Sequence, residues 1–161
     1  MKIRKSTIQD LDEILAIYAY ARQFMRDNGN PNQWKDTEPS YDRVLLDIKQ
    51  GKSYVVEEEK EILGTFFFDI GSEPTYQVID GAWLNDRPYG FAHRVASAKG
   101  TKGVATFALN WVYEQCDYNM RIDTHEDNKP MQGLLKKLGF EFCGIITLGD
   151  GSLRRAYQRC E

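Results

Sequence analysis

The stretch from His93 to Ala105 is the part of the chain whose residue types and spacing most favour chemistry. An apolar strand ends there, Gly100 and Gly103 turn the chain, and an amphipathic helix begins. Glycine lets the backbone approach a ligand closely and adopt conformations that other residues resist. The unpaired amides at the start of a helix, with the positive end of the helix dipole behind them, favour a pyrophosphate group. Lys102 adds positive charge at the same place.

On its own this pattern is a weak indication, because a glycine-containing turn between a strand and a helix is more often only a turn. The dinucleotide-binding pattern G-x-G-x-x-G and the P-loop pattern G-x-x-x-x-G-K-S/T are both absent from the chain. Their absence disfavours a nucleotide-binding domain of unrelated fold, which is one of the alternatives.

A second informative stretch runs from 119 to 141. A short strand is followed by Asn128, by a helix that begins near Pro130, and by Leu-Gly-Phe and another strand. Together with the stretch at 91–105, the opening strand and helix, and the Asn-Gln-Trp loop at 32–34, it resembles the GNAT superfamily of N-acetyltransferases, which use acetyl-coenzyme A. The resemblance covers nearly the whole chain, and this second stretch is its most specific part.

The resemblance implies how the coenzyme would bind. In that family two neighbouring parallel strands splay apart and the pantetheine arm enters between them, and here those strands would be 91–98 and 119–125. The side chain of Asn128 would contact the coenzyme arm. Backbone groups would hydrogen-bond the pantetheine at Val95, Ala96 and Ser97. Backbone amides would hold the pyrophosphate at Thr101, Lys102, Gly103, Val104 and Ala105.

The chain departs from the family pattern at two positions. The family has Arg or Gln, two residues, Gly, one residue and then Gly or Ala, and Gly100 replaces the Arg or Gln. Many members carry a Tyr seven residues after the Asn, which protonates the departing thiolate, and here that position is Leu135. These departures leave open the alternative of a non-catalytic acyl-coenzyme A sensor, which keeps the pyrophosphate-binding turn at 101–105 and has lost the chemistry.

Acetyl transfer to a primary amine requires that the amine be neutral. A free alkylamine has a pKa of about 10, so a base must help to remove a proton, and the substrate nitrogen is itself the nucleophile. His93 is the candidate base, because it lies on the strand that would flank the thioester and a histidine changes charge near neutral pH. A histidine that only hydrogen-bonds across the sheet fits the pattern as well. His125 and Glu126 are alternatives, and strand amides near Val95 could stabilise the charge on the carbonyl oxygen.

Trp34 and Trp83 are predicted to lie in loops, which makes them the candidates for lining the acceptor pocket. The acceptor itself stays open among an aminoglycoside, a polyamine, an amino acid and a protein N-terminus. The predicted function is therefore acetyl-coenzyme A-dependent N-acetyl transfer to a primary amine of a small molecule or peptide. Acetyl-coenzyme A is the expected co-substrate, and no metal is expected.

The elements that must position these residues follow in the order β, α, α, β, β, β, α, β, α, β, β. Apolar residues at helical spacing predict a helix at 8–28, and Pro39-Ser40 can open a second helix from about 41 to 50. A charged turn between two β-rich runs predicts a hairpin of 53–57 and 62–70, whereas 76–84 is ambiguous. Two β-to-α units in an otherwise antiparallel run predict an α/β (α+β) fold: a mixed, mostly antiparallel sheet of six to seven strands, with helices on both faces and a splayed parallel pair.

Capping residues and glycines indicate where several of these helices begin and end. Thr7, three residues before Asp10, is a helix cap with an acidic first turn. Ser40 can begin the second helix and Gly51 is placed to end it. Gly139 stops the helix that follows Asn128.

Length, composition and charge exclude several classes of protein. The 161 residues predict a single domain over 1–161, and 42% hydrophobic with 28% charged residues is typical of a globular chain. The 21 basic and 24 acidic residues give a net charge of −3, whereas a nucleic-acid-binding protein usually carries a basic surplus. No apolar run approaches the roughly 20 residues of a membrane helix, and the N-terminus does not resemble a signal peptide.

The cysteines are consistent with a reduced compartment. Cys116, Cys143 and Cys160 are widely spaced and form neither a metal-binding pair nor a disulfide framework. We therefore expect a cytoplasmic protein. Its expected partners are acetyl-coenzyme A and an amine acceptor, rather than nucleic acid or a membrane, and a homodimer is one of the oligomeric states left open.

Overall fold

The helices and strands follow one another in the order that the sequence predicts, with one short strand added. The computed structural model describes residues 1–161. The strands are β1 (Lys2–Lys5), β2 (Ser53–Glu58), β3 (Glu61–Ile70), β4 (Asp80–Gly81), β5 (Gly90–Ser97), β6 (Asn119–Thr124), β7 (Glu141–Thr147) and β8 (Leu153–Cys160). The α-helices are α1 (Leu11–Asp27), α2 (Tyr41–Lys49), α3 (Val104–Gln115) and α4 (Lys129–Lys137), with short 3-10 helices at Ile8–Asp10 and Pro74–Tyr76.

The strands pair in the order β1-β2-β3-β5-β6-β8-β7-β4. Strands β5 and β6 are parallel, with Gly90 opposite Met120 and Phe91 opposite Arg121. Other pairs, such as β1 with β2 and β6 with β8, are antiparallel. The predicted mixed, mostly antiparallel α/β fold with one parallel pair is confirmed.

The sheet has eight strands rather than six or seven because β4 forms within the ambiguous stretch 76–84. Asp80 lies opposite Ile145 and Gly81 opposite Gly144. A Cβ on Gly81 would clash with the backbone of β7, so the two strands approach this closely only where side chains are absent. A two-residue strand is too short to show the alternating pattern by which strands are recognised in a sequence.

Contacts within the chain divide it into two compact units. The first contains residues 1–68 and 92–109, and the second contains residues 69–91 and 110–161. The single domain over 1–161 stays a prediction. No helix in either unit combines the length and the apolar character needed to cross a bilayer.

In the first unit, α1 buries the apolar face that its sequence predicts, and α2 packs into the same buried cluster. The Ser40 hydroxyl accepts a hydrogen bond of 3.1 Å from the Arg43 amide and so caps α2, and Gly51 ends that helix at a φ of +70°. The Asp10 carboxylate accepts the Thr7 amide at 2.7 Å ahead of α1. The buried cluster consists of Leu11, Ile14, Ile17, Tyr18, Trp34, Val44, Ile48, Val55 and Ala96.

The first turn of α3 is seated by a close contact with β3. A Cβ on Gly64 would lie 2.5 Å from Val104 Cγ1 and 2.9 Å from the Ala96 carbonyl oxygen. Interiors packed this densely have no room for the extra atom. The missing side chain at position 64 therefore lets the helix begin directly beside β5.

Candidate active site

The turn between β5 and α3 has the geometry of an exposed helix start. Gly100 and Gly103 have φ values of +78° and +72°, in the left-handed region that glycine adopts without cost. The Thr101 hydroxyl donates to the Ala98 carbonyl at 2.7 Å and fixes the turn. The Phe107 amide donates to the Gly103 carbonyl at 3.0 Å, so the amides just before Phe107 have no acceptor inside the helix.

Space is open around the two glycines of this turn. A Cβ on Gly100 or on Gly103 would meet no other atom within 4 Å. Lys102 and Gly103 are exposed, while Val104 is buried and anchors the helix behind them. The arrangement fits an anionic group such as a pyrophosphate, which could approach the backbone without meeting a side chain.

Strand β5 contains a backbone irregularity immediately before the residues predicted to bind the pantetheine. Arg94 has a φ of +53°, which is uncommon for a residue other than glycine and costs free energy in the middle of a strand. Of the residues that follow, Ala96 is buried, and Val95 and Ser97 are half-buried. The orientation of the Val95 amide therefore depends on how Arg94 is held.

Three contacts from the first unit hold Arg94. Its Nε donates to Asp47 Oδ2 at 3.0 Å, and its Nη2 lies 2.9 Å from the same oxygen in an ion pair. The Arg94 carbonyl accepts the Tyr18 hydroxyl at 2.9 Å. The guanidinium carbon lies 4.7 Å from the centroid of the Phe67 ring. We call Tyr18, Asp47 and Arg94 the β5 clamp.

The β5 clamp was not predicted from the sequence, although one signal was present. Asp47 is only 3% exposed, and it lies on the face of α2 that also carries the buried Val44 and Ile48. A carboxylate within the apolar stripe of a helix needs a partner, because an unpaired buried charge is strongly unfavourable. Burial raises the pKa of Asp47, and the nearby Arg94 charge opposes that rise.

The structure places His93, the candidate base, next to the β5 clamp. Its ring stacks on Phe67, with 5.6 Å between centroids and 24° between planes. A positive charge on His93 would lower the pKa of Asp47, so the two side chains are within electrostatic reach. His93 is half-buried. Its role as a base stays a prediction.

The candidates in the second unit have clear structural roles. Asn128 Oδ1 accepts the Met131 amide at 3.1 Å and caps α4. Leu135, at the position of the usual tyrosine acid, is fully buried. His125 Nδ1 accepts the Asp127 amide at 3.0 Å, and burial lowers the His125 pKa. Contact of Asn128 with the coenzyme stays a prediction.

The two tryptophans proposed for the acceptor pocket differ in exposure. Trp34 is 9% exposed and packs edge-on against Tyr18, with 5.6 Å between ring centroids. Trp83 is half-buried, and its indole N–H donates to the Tyr76 carbonyl at 2.9 Å. Trp34 thus serves the core of the first unit, and most of its surface is closed to a ligand. Both residues stay predictions as acceptor contacts.

Alternate residues of β6 hold the irregular chain that precedes β5. The pairs are Tyr76 with Asp123, Trp83 with Arg121, and Asn85 with Asn119. These side chains point to the same face of β6, because successive residues of a strand alternate between faces. No local pattern in the sequence predicts these long-range pairs.

Arg121 is the central residue of this set. It is 6% exposed and lies between two rings, 4.3 Å from the centroid of Trp83 and 4.1 Å from that of Tyr89. Its Nη2 donates to the Asn85 carbonyl at 2.8 Å, and burial lowers its pKa. Stacking on two aromatic faces compensates in part for the lost hydration of the guanidinium.

Comparison with known proteins agrees with this fold. Residues 1–141 match the family model described as the acetyltransferase (GNAT) domain. A GNAT-family acetyltransferase from Streptococcus agalactiae is 31% identical, with a TM-score of 0.89 over 99% of this chain and 95% of that chain. No curated protein matches at a significant level. The chain belongs to the GNAT acetyltransferase family, which implies acyl-coenzyme A-dependent acetyl transfer.

More distant structures share the fold alone. An N-acetyltransferase from Staphylococcus aureus is 20% identical, with a TM-score of 0.64 over 99% of this chain and 97% of that one. A ribosomal-protein-alanine N-acetyltransferase from Brucella melitensis is 17% identical, with a TM-score of 0.64 over 100% of both chains. At these identities the acceptors of the relatives carry no information about the acceptor of this chain.

Proposed function

We propose that this chain transfers the acetyl group of acetyl-coenzyme A to a primary amine of a small molecule or peptide. The observation that carries the proposal is the open turn before α3. No atom lies within 4 Å of the Cβ positions of Gly100 and Gly103 beside the helix start, and Lys102 adds a positive charge there. A family that uses acyl-coenzyme A supplies the ligand that fits this anion-binding geometry.

The proposed coenzyme contacts come mainly from backbone. Amides of residues 101–105 would hold the pyrophosphate, and backbone groups of residues 95–97 would hydrogen-bond the pantetheine. Asn128 would add a side-chain contact to the coenzyme arm, next to the start of α4 that its Oδ1 caps. Because the pyrophosphate contacts are made by backbone, they do not depend on the Arg or Gln that Gly100 replaces.

The chemistry requires a neutral amine and a stabilised leaving group. His93 would accept the amine proton, and an amide near Val95 would hydrogen-bond the carbonyl oxygen as it gains charge. Leu135 cannot protonate the departing sulfur. Thiols have a pKa of about 8.5, so a thiolate can leave near neutral pH with help from water or backbone amides.

Calorimetric titration of acetyl-coenzyme A tests the proposed cradle. Gly103→Glu places a carboxylate where the pyrophosphate would lie, and we expect binding to fall below detection. Gly151→Glu is the matched control, because Gly151 also has a positive φ, of +86°, and open space around its Cβ position. Both variants carry the same backbone strain and added charge. Equal affinity in the two folded variants would show that the cradle lies elsewhere.

A non-catalytic acyl-coenzyme A sensor is the second candidate. The fully buried Leu135 favours it, because the usual acid is replaced by a core side chain. A sensor binds acetyl-coenzyme A and releases no thiol with any amine. An enzyme releases free coenzyme A thiol in step with the acetylated amine, so a panel of amines separates the two.

A further inference from the structure

Arg94 adopts a conformation that its own residue type disfavours. A φ of +53° is common for glycine and accessible to asparagine, whereas a long side chain pays a steric cost there. A strained residue inside a strand persists only when the surrounding structure determines it. The contacts of Arg94 must therefore hold it in this conformation.

Two helices converge on this one residue. The Tyr18 hydroxyl from α1 donates to the Arg94 carbonyl at 2.9 Å. The Asp47 carboxylate from α2 forms an ion pair with two nitrogens of the Arg94 guanidinium. The Tyr18 contact fixes the peptide group between Arg94 and Val95, and the Asp47 contact fixes the Arg94 side chain. Held at both ends, the residue cannot relax to the extended conformation of its neighbours.

Stability alone is a poor explanation for these groups. Asp47 is 3% exposed, and its Oδ1 has no hydrogen-bond partner. A buried ion pair with an unsatisfied oxygen is commonly no more stable than apolar side chains of the same size. Tyr18 likewise buries its hydroxyl, and burial raises its pKa so that it remains a neutral donor.

We propose that Tyr18 and Asp47 are positioning residues for acetyl transfer: they hold Arg94 in the left-handed conformation and thereby set the direction of the Val95 amide. The dihedral angles at Arg94 orient the next peptide, and that peptide carries the amide that would meet the carbonyl oxygen. The inference rests on the proposed function. The reaction would then depend on α1 and α2 through their contacts with Arg94.

Two substitutions at the same residue separate backbone positioning from a side-chain role. Arg94→Gly and Arg94→Ala both remove the guanidinium, but only glycine adopts a positive φ freely. Each is made together with Asp47→Asn, so that no buried charge is left unpaired. We expect kcat of the folded glycine variant to exceed that of the alanine variant by about tenfold, because small misplacement of a reacting group is costly. Equal kcat values would overturn the proposal.

Milder variants test the clamp if the alanine protein does not fold. Tyr18→Phe removes one hydrogen bond, and we expect kcat to fall about tenfold with the acceptor KM unchanged. The matched control is Asp10→Asn, since Asp10 is also buried and pairs with Arg4 at 2.8 Å in the same unit. We expect that control to lose thermal stability but keep kcat. A normal kcat in Tyr18→Phe would contradict the proposal.

Failure of this inference is distinguishable from failure of the proposed function. If the wild-type protein binds no acetyl-coenzyme A or acetylates no amine, the proposed function fails. If the wild type turns over and Tyr18→Phe and Asp10→Asn have the same kcat, only the positioning role is wrong.

Discussion

Gly64→Ala should destabilise the protein and weaken coenzyme binding together. The added Cβ would lie 2.5 Å from Val104 Cγ1 and 2.9 Å from the Ala96 carbonyl oxygen, closer than atoms in real interiors approach. The backbone oxygen cannot rotate away, so β3 or the start of α3 must shift. Overpacking of this kind costs about 1–3 kcal/mol. At about 2–4 °C per kcal/mol, the melting temperature should fall by several degrees.

Gly133→Ala is the matched control for that substitution. Gly133 lies inside α4, where a Cβ would meet no atom within 4 Å. Alanine is favoured over glycine in a helix interior by about 1 kcal/mol, so the same substitution should here raise the melting temperature. Differential scanning calorimetry measures both changes, and titration with acetyl-coenzyme A measures the affinity. If Gly64→Ala melts at or above the wild-type temperature, the close seating of α3 on β3 is wrong.

Three further predictions concern individual side chains. Asn128→Asp keeps the cap of α4, so stability should hold while acetyl-coenzyme A binding weakens by about 0.5–1.5 kcal/mol; unchanged affinity in calorimetry would leave Asn128 a cap only. His93→Gln should lower kcat by about 10²–10⁴-fold in a steady-state assay, and near-normal turnover would make His93 structural. The Arg4 guanidinium lowers the pKa of Asp10 in the folded protein. Ionised Asp10 therefore stabilises the fold at a pH above the ordinary Asp pKa of about 3.9, and this stabilisation is lost as the pH falls through the folded pKa. Asp10→Asn should therefore flatten the acid limb of a stability–pH profile measured by urea unfolding, and an unaltered limb would contradict this.

The sequence predicted the elements whose ends carry local signals. As predicted, Ser40 caps the start of α2 and Gly51 ends the helix, because a capping hydroxyl and a left-handed glycine act within one helical turn. Gly100 and Gly103 similarly predicted the turn before α3, and both have a positive φ. These features need no knowledge of distant residues.

The β5 clamp and the chain before β5 could not be predicted in this way. Asp47 and Arg94 are 47 residues apart, as are Tyr76 and Asp123. Such pairs depend on the register of strands and on the placement of helices, which local propensity does not specify. Only the carboxylate of Asp47 within an apolar helix face hinted at a buried partner.

Transfer of an acetyl group from acetyl-coenzyme A to an amine is the central claim, and one assay tests it directly. The purified protein is incubated with acetyl-coenzyme A and a panel of polyamines, aminoglycosides, amino acids and peptides. Free coenzyme A thiol and acetylated amine are both quantified by mass spectrometry, with Gly103→Glu as the inactive control. We predict that at least one amine yields equal amounts of thiol and acetylated product with the wild type only. Binding of acetyl-coenzyme A without acetylation of any amine would contradict the claim.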